Sequence, residues 1–555
     1  MGAVTQHTEQ TGTELSDPPA SRHWLRWSRA DAAGLLVLSL LFVFFTFRGT
    51  NPEKSTFYDL NPRPDSVEYT VEASRIYHGL GADLVVNGNR FPSRYPLGFP
   101  LALAALHPLF GGSTKLVVIW APILFTLASL WVFFTLIRHC AGPVAAWSGT
   151  ILYATNPCVL ILSKGVYSET LLALFTILTV GFFLQSLERG DFRSSLLFGI
   201  CYGFSLLVRI QVIITAPVLL VGYLYLTRRR FDIRPLLYAV CGAAPFLLVQ
   251  AIFQWDQFGS PLITGYSYHL KGLTLFSKAY LAGGLKFYVP ALFLGRNTAC
   301  ATYIWVFVPL ILPVLTIAGM TYACIRGAHR AVVVSLVFTA ITFFFFCCYL
   351  FTDVRFFLQV LLLFFAWSGV GIAWIAGRPC KSWKLLIPAA IVLIALFVPV
   401  GNRATPALFA ETLRTTPQIS YCYLDAREIY NTIRKDAPSP PVLVTSENLA
   451  MLNFYSDEFV LYPLAKTQEY VRVSQIGRLF PETIDSLLKK NTPVYVTDLN
   501  AQGKWDLKAL TELKEDFELQ NLPCHLYGDF HLYKVIARKQ SVPGRSYWGG
   551  DFSAN

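Results

Sequence analysis

Asp59–Leu101 reads DLNPRPDSVEYTVEASRIYHGLGADLVVNGNRFPSRYPLGFPL, and the rest of the chain is read outward from it. It follows a strongly apolar run, Leu35–Phe47, yet it is polar, with acids, arginines, tyrosines and prolines close together. Loops of this length in compact proteins are either functional or disordered, and the aromatic and apolar content here opposes disorder. An acid-x-x-x-Tyr pattern, Asp65 to Tyr69, lies at the start of a helix expected over Ser66–His78. The stretch closes on Arg94-Tyr95-Pro96-Leu97-Gly98-Phe99-Pro100 and runs into further apolar sequence.

The flanking sequence explains why a polar loop stands there. Of 555 residues, 54% are hydrophobic and 14% charged, with a mean hydropathy of +0.47, whereas soluble domains carry about 25% charged residues. Apolar runs able to cross a bilayer, about 20 residues each, recur near 116–137, 142–162, 169–187, 194–210, 212–227, 235–254, 301–325, 331–350, 356–376 and 384–401. With Leu35–Phe47 they give a polytopic α-helical membrane protein of about 11 spans. The net charge of +12 is then topological and does not point to nucleic acid, because Lys and Arg collect in cytoplasmic loops. Arg138-His139, Glu188–Arg193, Arg228–Arg230 with Arg234, Arg326–Arg330 and Arg378–Lys384 fall in alternate loops. This pattern puts the tail 1–29 in the cytoplasm. It puts the first loop 48–115 and the long loop 255–300 of the 30–401 membrane module outside. The stretch 96–110 is open between a shallow or re-entrant helix and a span, and a span would reverse every later loop.

Beyond residue 401 the composition changes. Helical patterns at Asp425–Arg434 and Ile484–Lys490 alternate with strand types at Val442–Thr445, Val494–Asp498 and His531–Ile536. Residues 402–540 are therefore expected to form an extracytoplasmic α/β domain, followed by a tail, 541–555. It carries no Gly-rich phosphate loop or nucleophile elbow, so a docking or lid role is favoured over a second active site. Most of the 11 cysteines sit in apolar runs as small hydrophobes; Cys422 and Cys524 are candidates to pair in an extracytoplasmic setting.

Under this topology the ionisable residues bordering apolar runs gather on the outer face: Asp65, Glu68, Arg94, Lys164, Glu169, Arg209, His269, Lys271, Asp353 and Arg355. Charges near bilayer depth are costly and mark function. Guanidinium and ammonium groups suit a phosphate or pyrophosphate, and a carboxylate suits a general base. The set describes group transfer from an anionic donor to a neutral acceptor at the membrane surface. Each residue has a plainer alternative. Asp65 can cap its helix, Glu68 can pair with Arg75 or a neighbour, Glu169 can complement a helix dipole, and Lys164 and Arg355 can snorkel. A transporter or flippase is the main rival and expects broken helices at mid-membrane; here the polar residues stand at span ends. A structural scaffold would not need so many charges on one side.

Four stretches carry a resemblance. They are Asp65-x-x-x-Tyr69; Tyr95-Pro96-Leu97-Gly98-Phe99-Pro100; Val166-Tyr167-Ser168-Glu169 opening a span; and Asp353-x-Arg355-Phe356 opening a late one. The chain resembles the multi-span glycosyltransferases of the GT-C fold, in particular the protein O-mannosyltransferases and lipid A aminoarabinose transferases. The resemblance implies a polyprenyl-phosphate sugar donor and inverting transfer at a bacterial plasma membrane. The acceptor would be a lipid, a glycan or a protein, and membrane lipids would surround the chain. It makes Asp65 the base. The motifs and the outer-face charges together make Glu68, Tyr69, Arg94, Tyr95, Lys164, Tyr167, Glu169 and Arg355, with His269 and Lys271 as weaker candidates, the residues expected at the substrates. Two departures stand out. Many relatives have a second acid after the Asp, where this chain has Ser66, so no divalent metal or other cofactor is expected. Leu97 replaces the second proline of the family's Tyr-Pro-Pro-Gly, leaving that turn less fixed.

Overall fold

The computed structural model describes residues 28–47, 64–226, 232–269, 274–293, 298–300, 303–306, 311–377, 387–391, 421–437 and most of 440–539. Among the described residues, six helices are long and apolar enough to cross a membrane: α1 (Arg29–Phe47), α4 (Thr114–Ala154), α6 (Ser168–Arg189), α9 (Arg234–Phe258), α13 (His329–Cys347) and the stretch Val354–Ala376 that contains α14 (Leu358–Ala376). Shorter apolar helices lie between them, among them α7 (Phe192–Val208), α8 (Ala216–Leu226) and α12 (Ile311–Ile325).

Helix α4 is two limbs. Gly142 leaves helical geometry at φ 84°, ψ 175°, a region that favours glycine. The Ser129 and Tyr153 hydroxyls then meet at 2.7 Å, and Phe134 packs on Trp147 with ring centroids 4.7 Å apart. At about 1.5 Å per residue a straight helix would hold the first pair about 36 Å apart, so the chain doubles back at Gly142. The runs expected near 116–137 and 142–162 are these two limbs, the second ending at Ala154 and followed by the buried helix α5 (Pro157–Ser163).

One expected span is corrected. Residues 301–325 do not form a continuous helix: Tyr303–Val306 (β4) pairs antiparallel with Thr298–Cys300 (β3), and helix resumes only at Ile311. The aromatic and β-branched run Tyr303-Ile304-Trp305-Val306 favours a strand. Of the run 384–401, only 387–391 lies within the described residues, as helix.

The ambiguous stretch 96–110 is a helix, α3 (Gly98–Leu106), continued by a 3-10 turn, His107–Phe110. It lies beside α2 (Pro64–Tyr77). Phe99 meets Tyr69 at 4.8 Å between rings, and His107 stacks on Tyr77 at 4.9 Å. Eight residues along α3 keep pace with eight along α2, so the two helices run side by side. Since α2 (PDSVEYTVEASRIY) is too polar to cross lipid, α3 does not cross either; at about 20 Å with its 3-10 turn it is also too short.

The C-terminal region holds a five-stranded sheet in the order β6-β5-β7-β9-β8. Its strands are β5 (Val442–Thr445), β6 (Val460–Pro463), β7 (Val494–Thr497), β8 (Phe517–Leu522) and β9 (Leu532–Arg538). β6, β5 and β7 are parallel, and β9 is antiparallel to both β7 and β8. The sheet docks on a hairpin of the first loop, β1 (Asp83–Val86) and β2 (Asn89–Pro92). Leu84, Val86 and Phe91 share one core with Ile429, Ile433 and Leu443. At the hairpin tip, the Asn87 side chain donates to the Leu461 carbonyl and accepts from its N–H, both at 2.8 Å, capping the β6 edge as a further strand would. The side chain of Cys422 lies outside the described residues; the Cys524 sulfur stands 3.3 Å from the Thr432 hydroxyl.

Candidate active site

Helix α2 places Asp65, Glu68 and Glu72 on one face, at three- and four-residue spacing. That face grips the segment Ser93-Arg94-Tyr95. The Tyr95 hydroxyl donates to Asp65 Oδ1, the Arg94 N–H donates to Glu68 Oε2 at 3.2 Å, and the Ser93 hydroxyl donates to Glu72 Oε1. The Arg94 guanidinium spans the first two acids, with Nη2 3.7 Å from Asp65 and 3.5 Å from Glu68. Arg75, one expected partner for Glu68, instead binds Asp83 at 2.8 Å. Asp65 also differs from the capping alternative: helix begins at Pro64, so Asp65 lies inside the first turn.

The second wall comes from the middle of the chain. The Ser66 hydroxyl donates to the Val166 carbonyl at 3.2 Å, and the Tyr69 hydroxyl donates to Ser168 at 3.3 Å. Glu169, in the first turn of α6, accepts from Arg209 Nη2 at 2.6 Å, while Arg209 Nε donates to Ser168 at 2.8 Å. Arg209 stands at the break between α7 and the 3-10 turn Ile210–Thr215.

The third wall opens α14. Asp353 caps its own turn by accepting the Arg355 N–H at 2.9 Å. The Arg355 guanidinium reaches back across the cluster: Nη1 donates to Asp65 Oδ2 at 2.8 Å, and Nε lies 3.2 Å from Asp353 and 3.7 Å from Glu169. Tyr167 lies under it, its ring centre 5.5 Å from the guanidinium carbon.

Burial sets the charge states on α2. For Asp65, burial works toward protonation, but Arg355, Arg94 and the Tyr95 hydroxyl override it and hold the carboxyl well below the usual range. For Glu68, burial prevails over Arg94 and pushes the carboxyl up to about 7, with Asp65 adding to the rise. Burial drives Glu72 well above its usual value, with Glu68 and Asp83 adding to the effect.

Of the residues expected at the substrates, Asp65, Glu68, Tyr69, Arg94, Tyr95, Tyr167, Glu169 and Arg355 are brought together. Lys164, at the end of α5, is buried at 6% exposure; its Nζ has no hydrogen-bond partner among the described residues, and burial lowers the ammonium to about 8. His269 ends a short helix, α10 (Gly265–His269), with its side chain outside the described residues, and Lys271 lies outside them altogether. Among the described residues no group of three or more His, Cys, Asp or Glu is arranged to hold a metal ion.

Sequence reasoning named Arg209 only as an outer-face charge, Asp353 as such a charge and as the start of a family-like motif, and Glu72 only as a weaker candidate base after Asp65 and Glu68; it missed Ser93 and Tyr266. An arginine interrupting the apolar residues 194–227 was the signal for Arg209. No sequence signal marks Tyr266. It is brought in because Gly265 packs on the backbone of Ser93 and Arg94, where a Cβ would stand 2.4 Å from the Ser93 oxygen. Its ring lies 5.6 Å from that of Tyr95 and 5.8 Å from the Arg94 guanidinium carbon.

Residues 94–255 match the model of the dolichyl-phosphate-mannose-protein mannosyltransferase family. The match covers Arg94, Lys164, Tyr167, Glu169 and Arg209; Asp65 and Arg355 lie outside it. The fold is similar to that of ArnT from Cupriavidus metallidurans bound to undecaprenyl phosphate, with a TM-score of 0.56 at 13% identity over 93% of this chain and 100% of that one. The apo state of ArnT matches at 0.59 and 12%, over 91% and 98%. The chain has the GT-C fold. The fold also matches an Archaeoglobus fulgidus oligosaccharyltransferase tethered to an acceptor peptide, at 0.52 and 14%, over 90% of this chain and 73% of that one. No curated protein matches by sequence. With its apolar helices, the chain is an integral membrane protein, and the comparisons lend nothing to a transporter.

Proposed function

We propose that the enzyme transfers a sugar, with inversion, from a polyprenyl-phosphate donor to an acceptor lipid, glycan or protein on the outer face of a bacterial plasma membrane. One observation carries this reading. The charged cluster borders a groove in which Arg209, Glu169 and Arg355 line the same space as Leu172, Val212, Phe346 and Leu358. An anionic head on an apolar tail fits a groove lined by both cations and apolar side chains. ArnT holds undecaprenyl phosphate and an Archaeoglobus oligosaccharyltransferase holds dolichol phosphate with an inhibitory peptide, which supports a lipid-phosphate donor here.

In the reaction, Asp65 takes the proton from the acceptor hydroxyl or amine as its lone pair attacks the anomeric carbon. The bond from that carbon to the phosphate oxygen breaks, and the electron pair leaves on the phosphate, where Arg355 and Arg94 stabilise it. Attack from the face opposite the phosphate inverts the anomeric centre. Lys164 is assigned to the phosphate, and His269 and Lys271, on the same outer loop as Tyr266, to the substrates. The N-terminus is assigned to the cytoplasm and the C-terminal sheet to the outside, where it helps choose the acceptor. Metal independence is assigned as well, since Asp65, Glu68, Glu169 and Asp353 each already face a guanidinium group; chelator should leave the rate unchanged.

The test is incubation of purified enzyme with a panel of polyprenyl-phosphate sugars and candidate acceptors. Acceptor-dependent loss of one donor, with release of polyprenyl phosphate, is expected. A panel left intact while nucleotide sugars are consumed would overturn the reading.

A further inference from the structure

Among the described residues, each guanidinium group of the cluster is already paired. The three, Arg94, Arg209 and Arg355, face the carboxylates of Asp65, Glu169 and Asp353, and Glu68 also contacts Arg94. Lys164 forms no ion pair with any of these among the described residues. Lys164, buried without a hydrogen-bond partner among the described residues, is one cation for an entering phosphate, but a guanidinium group can grip the phosphate only by giving up a carboxylate it already faces. One existing pair has to open for that.

The geometry selects which one. Glu169 is held by Arg209 at 2.6 Å, and Asp353 is fixed by the backbone of its own turn. The Arg355–Asp65 bond is different. It joins side chains 290 residues apart, it is the only contact of 3.0 Å or less that the Arg355 guanidinium makes among the described residues, and Arg355 alone of the two lines the membrane groove. Moreover, a carboxylate bonded to Arg355 and Tyr95 and flanked by Arg94 has its lone pairs engaged and is a poor proton acceptor.

Resting on the donor assignment above, we infer that Arg355 exchanges partners: it holds Asp65 in the free enzyme and moves to the donor phosphate in the complex, releasing Asp65 to act as base. Donor binding then precedes acceptor activation. After transfer, Asp65 carries the acceptor's proton; when the lipid phosphate leaves, the returning Arg355 drives that proton to solvent and resets the site. A free enzyme thus holds no active base beside the outer aqueous phase, and water is activated no sooner than the acceptor.

The exchange makes a prediction opposite in sign to a simple binding role for Asp65. If phosphate competes with Asp65 for Arg355, removing the Asp65 charge favours phosphate. Polyprenyl phosphate without sugar, titrated into purified wild-type, Asp65→Asn and Arg355→Ala enzyme in nanodiscs, is expected to bind about tenfold tighter to Asp65→Asn and at least tenfold weaker to Arg355→Ala. Weaker binding to Arg355→Ala with equal or weaker binding to Asp65→Asn overturns the exchange and leaves the phosphate assignment standing. Unchanged binding to Arg355→Ala overturns both. Should Asp65→Asn not fold, infrared difference spectra of the wild-type enzyme decide: a carboxylate-stretch shift on adding the lipid supports the exchange, and its absence overturns it.

Discussion

At the residue scale, Asp65 tests the chemistry most directly. Asp65→Asn keeps the shape but cannot take a proton at neutral pH, and loss of a general base costs about 100- to 10,000-fold in rate. From the sequence, Asp65 reads as an exposed loop acid whose exchange for Asn would change stability by no more than about 0.5 kcal/mol. The structure corrects this. Only 13% of the side chain is exposed, and it holds Arg355, so the variant should lose about 1–3 kcal/mol and melt lower in detergent while remaining folded. Glu68→Gln is the control for the base and should retain turnover within about tenfold, well short of a base's loss. Arg355→Lys keeps the charge but cannot hold Asp65 and phosphate with a planar fork; it should raise the KM for donor more than it lowers kcat. Individual site residues were legible because acids and arginines at the ends of apolar runs stand out. Their partners were not. Arg355 and Asp65 are separated by 290 positions, and only the packed bundle puts them 2.8 Å apart.

At the scale of elements, α2 was readable nearly to the residue, expected over Ser66–His78 and found over Pro64–Tyr77. Its task was not. The acids at 65, 68 and 72 serve one face that fixes Ser93–Tyr95, which no local pattern announces. Asn87-Gly88 is a hairpin signal that the sequence reading passed over, and Asn87 takes φ 52° at that tip. Burial raises Glu68 from 4.5 to about 7. The folded state therefore binds a proton more tightly than the unfolded one, and this contribution is fully present below about pH 4.5 and lost as pH rises through about 7. Glu68→Gln should shrink the fall in melting temperature across that window, and an unchanged fall would exclude Glu68 as its source. The motif Tyr95-Pro96-Leu97-Gly98 has a packing reason as well. A Cβ on Gly98 would stand 2.6 Å from the Leu207 carbonyl carbon and oxygen, and backbone does not move aside as a side chain can. Gly98→Ala should push α3 off α7, displace Arg94 and Tyr95, and lower both yield and turnover.

For the whole molecule, sidedness is the property on which the proposed chemistry depends, and the fold constrains it more tightly than the charged loops do. The first-loop hairpin and the C-terminal sheet share a hydrophobic core and are tied through Asn87 and Leu461, so they lie on one side of the membrane whichever side that is. Since α3 runs beside α2 without crossing, the basic loops fall opposite them, and the orientation proposed above makes that side the outside. Single cysteines at Arg90 on the hairpin, Gln520 on β8 and Ala328 in the basic turn before α13, each exposed, test this in a background cleared of the native cysteines. An impermeant maleimide applied to intact cells should label positions 90 and 520 and spare 328 until the cells are opened. Labelling of 328 alone would invert the orientation and leave a lipid-phosphate reaction facing the cytoplasm. Labelling that separates 90 from 520 would contradict the shared core itself, because two surfaces built on one set of buried side chains cannot lie on opposite sides of a bilayer.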